Sequence, residues 1–230
     1  MKAHGLDADI AAARDEFTVI LADTPELRHE AFRLRHQVYC LERGYEPSLS
    51  DIETDVFDTH ARHVLLCHSA SGDVLGTVRL VLDSPQATGR SFPMQQVCSP
   101  GLLNHLPSSV TGEISRFSIS KERRQIAGPT AALMRLGLMQ GLIRICHEEK
   151  VTHLCAVMER SLLRLLQATG IHFQPLGPLV EHHGIRQPAT CHLTSMLHRL
   201  RREQPLIWGF LTQDGTLWTE PLHDIFPLAA

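Results

Sequence analysis

The sequence predicts a mixed α/β fold, a twisted sheet flanked by helices, and three stretches predict it. Gly112–Ser120 (GEISRFSIS) alternates charged and apolar residues in the manner of a half-buried strand. From Pro129 to Glu149, Leu133, Leu136, Met139, Gln140, Ile143 and His147 recur at helical spacing. Val151–Val157 follows as a buried strand, so a strand–helix–strand unit stands behind an earlier hairpin.

In chain order, residues 1–15 are a loosely held polar lead-in, residues 16–203 one domain, and residues 204–230 a tail packing on it. Phe17–Ala22 reads as the first strand. Thr24-Pro25-Glu26 opens a helix, with Thr as N-cap, Pro at the first helical position and an acid in the first turn. Leu27, Ala31, Leu34, Val38 and Leu41 carry its apolar stripe to about Arg43, where Gly44 ends it. Residues 46–60 form an acidic loop. His63–His68 and Val74–Leu82 are strands joined through Ser-Ala-Ser-Gly-Asp, a hairpin signal. A loop over 83–108 holds one helical turn near Met94–Val97. After the central unit, Ser161–Thr169 is a helix ended by Gly170. Pro175 and Pro178 confine any strand over 171–183 to an edge. Gly184–Pro188 is a turn, and Leu193–Glu203 a short basic helix.

The alternation in Gly112–Ser120 breaks once. Glu113 points out, Ile114 in and Arg116 out, but Phe117 points in where strict alternation would continue differently. One slipped step predicts a β-bulge, which re-aims backbone N–H groups and side chains.

Composition narrows the function. A net charge of −3 and a pI near 6.6 leave no basic excess for bulk nucleic-acid binding. No apolar run reaches the ~20 residues a membrane-spanning helix needs, and Met1–Ala13 lacks the apolar core of a signal peptide. Cys40, Cys67, Cys98, Cys146, Cys155 and Cys191 show no CxxC spacing and read as reduced thiols of a cytoplasmic protein. The His-rich pieces lack metal-ligand spacing, so no metal is expected. No GxSxG elbow is present.

The residues that could carry chemistry each have a plain alternative. Arg35 and Tyr39, four apart, share a helix face: a site-lining pair, or a solvated Arg over a ring. Glu53, Asp55 and Asp58 cluster in one loop, to meet cations or to cap a helix. Arg79 sits in an apolar strand and needs a carboxylate if buried. Glu113 is a general base if burial raises its pKa, or a surface acid. Lys121, Arg123 and Arg124 precede Gly128 and a helix start, which suits a phosphate or a solvated turn.

Taken in order, Arg35-x-x-Val38-Tyr39, Tyr45, Asp55-x-x-Asp58, Gly76-x-x-Arg79 and Glu113-x-x-Arg116-Phe117 resemble the signature of acyl-homoserine-lactone (autoinducer) synthases. The same residues resemble their relatives, the N-acyl amino acid synthases, within the wider GCN5-related N-acetyltransferase (GNAT) superfamily. The match spans residues 17–160. With Gly184-Ile185-Arg186-Gln187-Pro188, the chain resembles the acyltransferases associated with the PEP-CTERM/exosortase system. Tyr45 stands where the lactone synthases usually have Trp, and Tyr39 where they have Phe, which points away from S-adenosylmethionine as acceptor. Arg124-x-x-Ala127-x-Pro129 replaces the Gly-rich pyrophosphate loop of the acetyltransferases, which points toward an acyl-carrier-protein donor over a CoA thioester.

The resemblance implies a GNAT-like, mainly antiparallel sheet with one splayed strand pair. It implies a cytoplasmic acyltransferase with no bound cofactor, moving a long acyl chain from a 4'-phosphopantetheine thioester to the amine of an amino acid or related small molecule. Glu113 would be the base, and Arg116 would orient it or bind a substrate carboxylate. Arg35, Tyr39, Tyr45, Asp55, Asp58 and Arg79 would shape the acceptor side. Phe117, Ser118, Ile119, Arg124 and Gly128 would meet the acyl-pantetheine arm. Met134, Leu138 and Leu142 are either an acyl tunnel or ordinary core. Lys121, Arg123 and Arg124, or Arg199, Arg201 and Arg202, would dock an acidic carrier. A lactone synthase using S-adenosylmethionine and a non-catalytic acyl- or carrier-binding module are the alternatives.

Overall fold

Among the described residues, eight strands form one sheet, in the order β1-β2-β3-β4-β5-β8-β6, with β7 also paired to β8. They are β1 Phe17–Leu21, β2 Ala61–His68, β3 Val74–Leu82, β4 Thr111–Ile119, β5 His153–Glu159, β6 Gln174–Pro175, β7 Val180–Glu181 and β8 Ile185–His192. The computed structural model describes residues 10, 15–45, 49–87, 90–99, 101–123 and 131–218. All strand pairs are antiparallel except β4–β5, which is parallel. A parallel pair needs a crossover, and helix α3 (Ala131–Glu149) supplies it.

Strands β2 and β3 are buried along most of their length because helices cover both faces. One face packs on α3, whose Leu138, Met139, Leu142 and Ile143 meet Val64, Leu66, Val78 and Leu80. The other packs on helix α1 (Pro25–His36), through Ala31 and Leu34 against Leu65 and Cys67. Helix and sheet approach closely at Gly141, where a Cβ would lie 2.3 Å from a Val64 methyl. Met134, Leu138 and Leu142 are fully buried core. The six cysteines form no disulfide. No helix among the described residues is long and apolar enough to cross a membrane.

Three departures from the sequence reading have physical causes. The first helix keeps α geometry only to His36 and then widens into a π-helical segment, Gln37–Glu42. The extra residue per turn separates Arg35 from Tyr39: Arg35 is fully buried, whereas Tyr39 lines a cleft. Residues 185–188 are not a turn. The turn lies at His183 (φ 51°) and Gly184 (φ 100°), and β8 runs straight through Pro188. The Pro188 carbonyl accepts from Leu176 N–H at 2.9 Å, so its missing N–H faces the same edge, just past the last β6 pair. Finally, Pro205–Thr212 forms a helix, α6, rather than a surface tail. It follows α5 (Leu193–Glu203) and buries Ile207, Phe210 and Leu211 in the main core.

Candidate active site

The bulge is where the broken alternation places it. Thr77 lies opposite Ser118 and Arg79 opposite Ser115, so two steps of β3 face three of β4. Arg116 takes up the difference with φ 53°, a left-handed conformation that L-residues rarely adopt. The kink turns Arg116 onto the cavity that Glu113 also lines, although residues three apart on a regular strand face opposite ways.

Beyond the bulge the sheet opens. The parallel pairing of β4 with β5 runs from Thr111–His153 to Ile114–Ala156 and stops. Both strands continue, and a cleft of about 250 Å³ lies between them, lined by Phe117, Ser118, Ile119, Met158 and Leu162 among others. Hydrogen bonding along an antiparallel strand alternates residue by residue. Ser120 donates to Leu75 O on β3. By that period Phe117 and Ile119 direct their N–H groups to the other edge, where β5 has left.

A smaller inner chamber of about 70 Å³ adjoins this cleft, lined by Met94, Glu113, His182 and His183. Tyr39, Ile114, Ser115, Arg116, Val157 and Arg186 border both. The helical turn Met94–Val97 (α2) sits over Glu113, and Met94 N–H donates to Glu113 Oε2 at 2.8 Å. Glu113 is 2% exposed. Burial pushes its pKa up to about 8, against the opposing pull of the Met94 N–H and the Arg79 and Arg116 charges. A carboxyl with that pKa is largely protonated at pH 7 and becomes available as a base as pH rises through about 8.

Beneath the chamber lies a closed ionic network. Arg35 donates to Glu53 at 2.5 Å and to Asp58 at 2.7 Å. Arg79 grips Asp55 through two nitrogens (2.5 and 3.0 Å), reaches Asp58 at 2.7 Å, and donates from Nε to Ser115 Oγ at 3.0 Å. Arg116 holds Glu53 at 2.8 Å and Asp55 at 3.2 Å. Three guanidinium groups thus balance three carboxylates. Burial alone would raise Glu53, but Arg116 and Arg35 hold it down at about 2. Asp58 is likewise held well below the carboxylate range, by Arg35 and Arg79 against the effect of burial. Asp55 also caps the 3₁₀ turn Val56–His60, and Asp58 reaches back to Asp55 N–H at 2.8 Å. His63, 2% exposed, lies 3.6 Å from Asp58; burial and the neighbouring Arg35 push it down to about 4.

The structure therefore brings Glu113, Arg116, Tyr39, Tyr45, Phe117, Ser118 and Ile119 to the two cavities. Arg35, Asp55, Asp58 and Arg79 line neither and lie in the network behind. Arg124 and Gly128 fall outside the described residues. Tyr45 stacks on His183 (5.0 Å, 18°), which fastens the first helix to the turn before β8. Arg116 sits over the Tyr39 ring at 5.3 Å. Arg43, Glu159 and Arg186 were not singled out by the sequence, apart from the place of Arg186 in the Gly184–Pro188 piece. Glu159 bridges Arg43 and Arg186, each at 3.4 Å. The Met94 bond to Glu113 comes from the backbone, so no side-chain type signals it in the sequence.

A sheet splayed beside a bulged strand, with a helix crossing between the parallel pair, defines the GNAT fold, and the comparisons agree. Residues 34–134 match the family described as acetyltransferase (GNAT) domain. The AHL synthase LasI is 22% identical, with a TM-score of 0.60 over 76% of this chain and 89% of its own. BjaI, a CoA-dependent acyl-homoserine lactone synthase solved with SAM and isopentyl-CoA, is 24% identical, with a TM-score of 0.61 over 81% and 88%. FeeM, an N-acyl amino acid synthase from uncultured soil microbes, is 16% identical, with a TM-score of 0.62 over 81% and 96%. No curated protein matches the chain.

Proposed function

We propose that the chain is an N-acyltransferase that moves an acyl group from a carrier-protein thioester to the amine of an amino acid or a related small molecule. The observation that carries this reading is Glu113: a buried, hydrogen-bonded carboxyl with raised pKa, in a small chamber beside the open edge of β4. The pantetheine arm would enter along β4. The Phe117 and Ile119 N–H groups would stabilise the oxyanion that forms when the amine nitrogen attacks the thioester carbon. Glu113 takes the amine proton, the C–S bond breaks, and the departing thiolate is reprotonated to the thiol. Arg116, occupied by Glu53 and Asp55, shapes the chamber rather than meeting the substrate.

Two observations favour a carrier-bound donor over a CoA thioester. At the start of the loop after β4, Lys121 N–H donates to Glu42 at 2.9 Å and Arg123 N–H to Ser120 Oγ at 3.2 Å. A CoA diphosphate would need such donors free. Helix α4 (Arg160–Gln167) presents exposed Arg160, Arg164 and Leu165 beside the mouth, a cationic rim suited to an acidic carrier. The basic residues of α5 line neither cavity, and Arg201 is stacked over Trp208. A carrier donor would place the reaction in the cytoplasm. The link to the PEP-CTERM/exosortase system is proposed on sequence resemblance alone.

The inner chamber favours a small acceptor. It holds about 70 Å³ and opens into the larger cleft, which gives room beside Glu113 for a small amine-bearing group. The test is to incubate the chain with acyl-carrier-protein thioesters and amino acids and to identify products by mass spectrometry. An N-acyl amide is expected. A lactone with release of methylthioadenosine from S-adenosylmethionine would replace this reading with the lactone-synthase one.

A further inference from the structure

The cation best placed to meet a substrate is not one that the signature residues supply. Arg35, Arg79 and Arg116 are all consumed by Glu53, Asp55 and Asp58. Arg186 is different. Like Arg116 it borders both cavities, but where Arg116 is held by two carboxylates, Arg186 is held chiefly by backbone carbonyls. The turn at His183 and Gly184 places two backbone carbonyls on one edge of its guanidinium: Nε donates to His182 O, and Nη2 to His183 O at 3.3 Å. Carbonyl oxygens orient a guanidinium without cancelling its charge. Among the described residues the carboxylate it pairs with is Glu159, 3.4 Å away and shared with Arg43. Two cations thus share the Glu159 carboxylate, so neither is matched by a carboxylate of its own in a close ion pair. Among the described residues, Nη1 has no hydrogen-bond partner.

We infer that Arg186 is the carboxylate anchor of the acceptor, which makes the acceptor an amino acid with a free carboxylate rather than a simple amine. The inference rests on the proposed acyl transfer and deepens it. Arg186 comes from β8 and Glu113 from β4, and the two approach the inner chamber from different walls. An amino acid held by its carboxylate at Arg186 presents its amine toward Glu113. A guanidinium braced on one edge suits this task, because it loses little freedom when a carboxylate binds.

The test uses the full chain with octanoyl and hexadecanoyl thioesters of acyl carrier protein. Glycine, alanine and serine are compared with glycinamide, alaninamide and serinamide. Calorimetry of the N-acyl amino acids and their amides supplies a readout independent of turnover. The anchor predicts that the carboxamides are poorer substrates by about 10- to 100-fold in kcat/KM. It also predicts that Arg186→Gln abolishes this discrimination, mainly by raising KM for the amino acid, and that Arg186→Lys restores part of it. Equal use of carboxamides, or discrimination that survives in Arg186→Gln, overturns the anchor and leaves acyl transfer standing. Absence of turnover with Arg186-dependent binding of the N-acyl amino acid removes acyl transfer and keeps the anchor. Absence of both removes both.

Discussion

Met94 and Glu113 are joined by a single backbone hydrogen bond of 2.8 Å, and it holds a carboxyl that burial alone would leave unanchored. The donor lies on a short helical turn that also walls the inner chamber through Met94 and Val97. Because Gln can accept the same bond, Glu113→Gln keeps the fold while removing the proposed base. We expect kcat/KM to fall roughly 10²–10⁴-fold. In the parent, kcat/KM should rise with pH through an apparent pKa near 8, and this limb should vanish in the variant. Folding raises this pKa from an ordinary carboxylate value, so the folded chain keeps a proton that the unfolded chain releases. Stability therefore declines as pH rises from the carboxylate range to about 8, and Glu113→Gln should flatten that decline. A pH–rate limb that persists in the variant would assign the base elsewhere.

The ionic network predicts a steep cost for partial removal. Arg35→Met takes one cation from a balanced set and leaves buried carboxylates with less compensation. Breaking a buried pair from one side costs about 3–5 kcal/mol. Urea titration should show a lower midpoint with an unchanged slope. Adding Glu53→Gln should recover part of the loss, and a single-variant cost below about 1 kcal/mol would contradict a cohesive network.

His63 predicts an acid-side weakness. Its pKa is about 4 when folded and about 6.5 when unfolded. Below the unfolded value the unfolded chain binds the extra proton, so stability declines as pH falls from 6.5 toward 4. His63→Phe, which keeps the ring beside Phe32, should flatten thermal stability across that window. An unchanged pH profile would move the cause to another group.

Gly141 predicts a packing penalty remote from the chemistry. In Gly141→Ala the new methyl meets both Val64 methyl groups and Val19. Overpacking of this kind costs about 1–3 kcal/mol. Calorimetry should register a lower melting temperature, with KM for both substrates unaltered.

Much of this arrangement was legible in the sequence, for physical reasons that differ by element. The period of a strand is two, so one slipped residue at Arg116-Phe117 sufficed to place the bulge. The helix over α3 announced itself by periodicity. The ionic network did not: Arg35, Asp55, Asp58 and Arg79 each had a solvated alternative, and only their order in the chain, through resemblance, joined them. The π-helical widening after His36 was hidden because no residue type encodes it. Strand β8 was obscured by Pro188, whose missing N–H turns out to face an edge where no pair is required. Helix α6 was readable, since Pro205 suits a helix start and Ile207, Phe210 and Leu211 have helical spacing.

The short parallel seam from Thr111–His153 to Ile114–Ala156 also governs how the protein is made. Strands β1 to β4 lie side by side in chain order, whereas β4 meets β5 only after the whole of α3 has intervened. Such long-range parallel pairings form late in folding. The last wall, at His182–Arg186, emerges from the ribosome later still. A nascent chain holding every residue of the ionic network still lacks the surface that faces Glu113. The wall that faces Glu113 is thus completed only when the sheet closes.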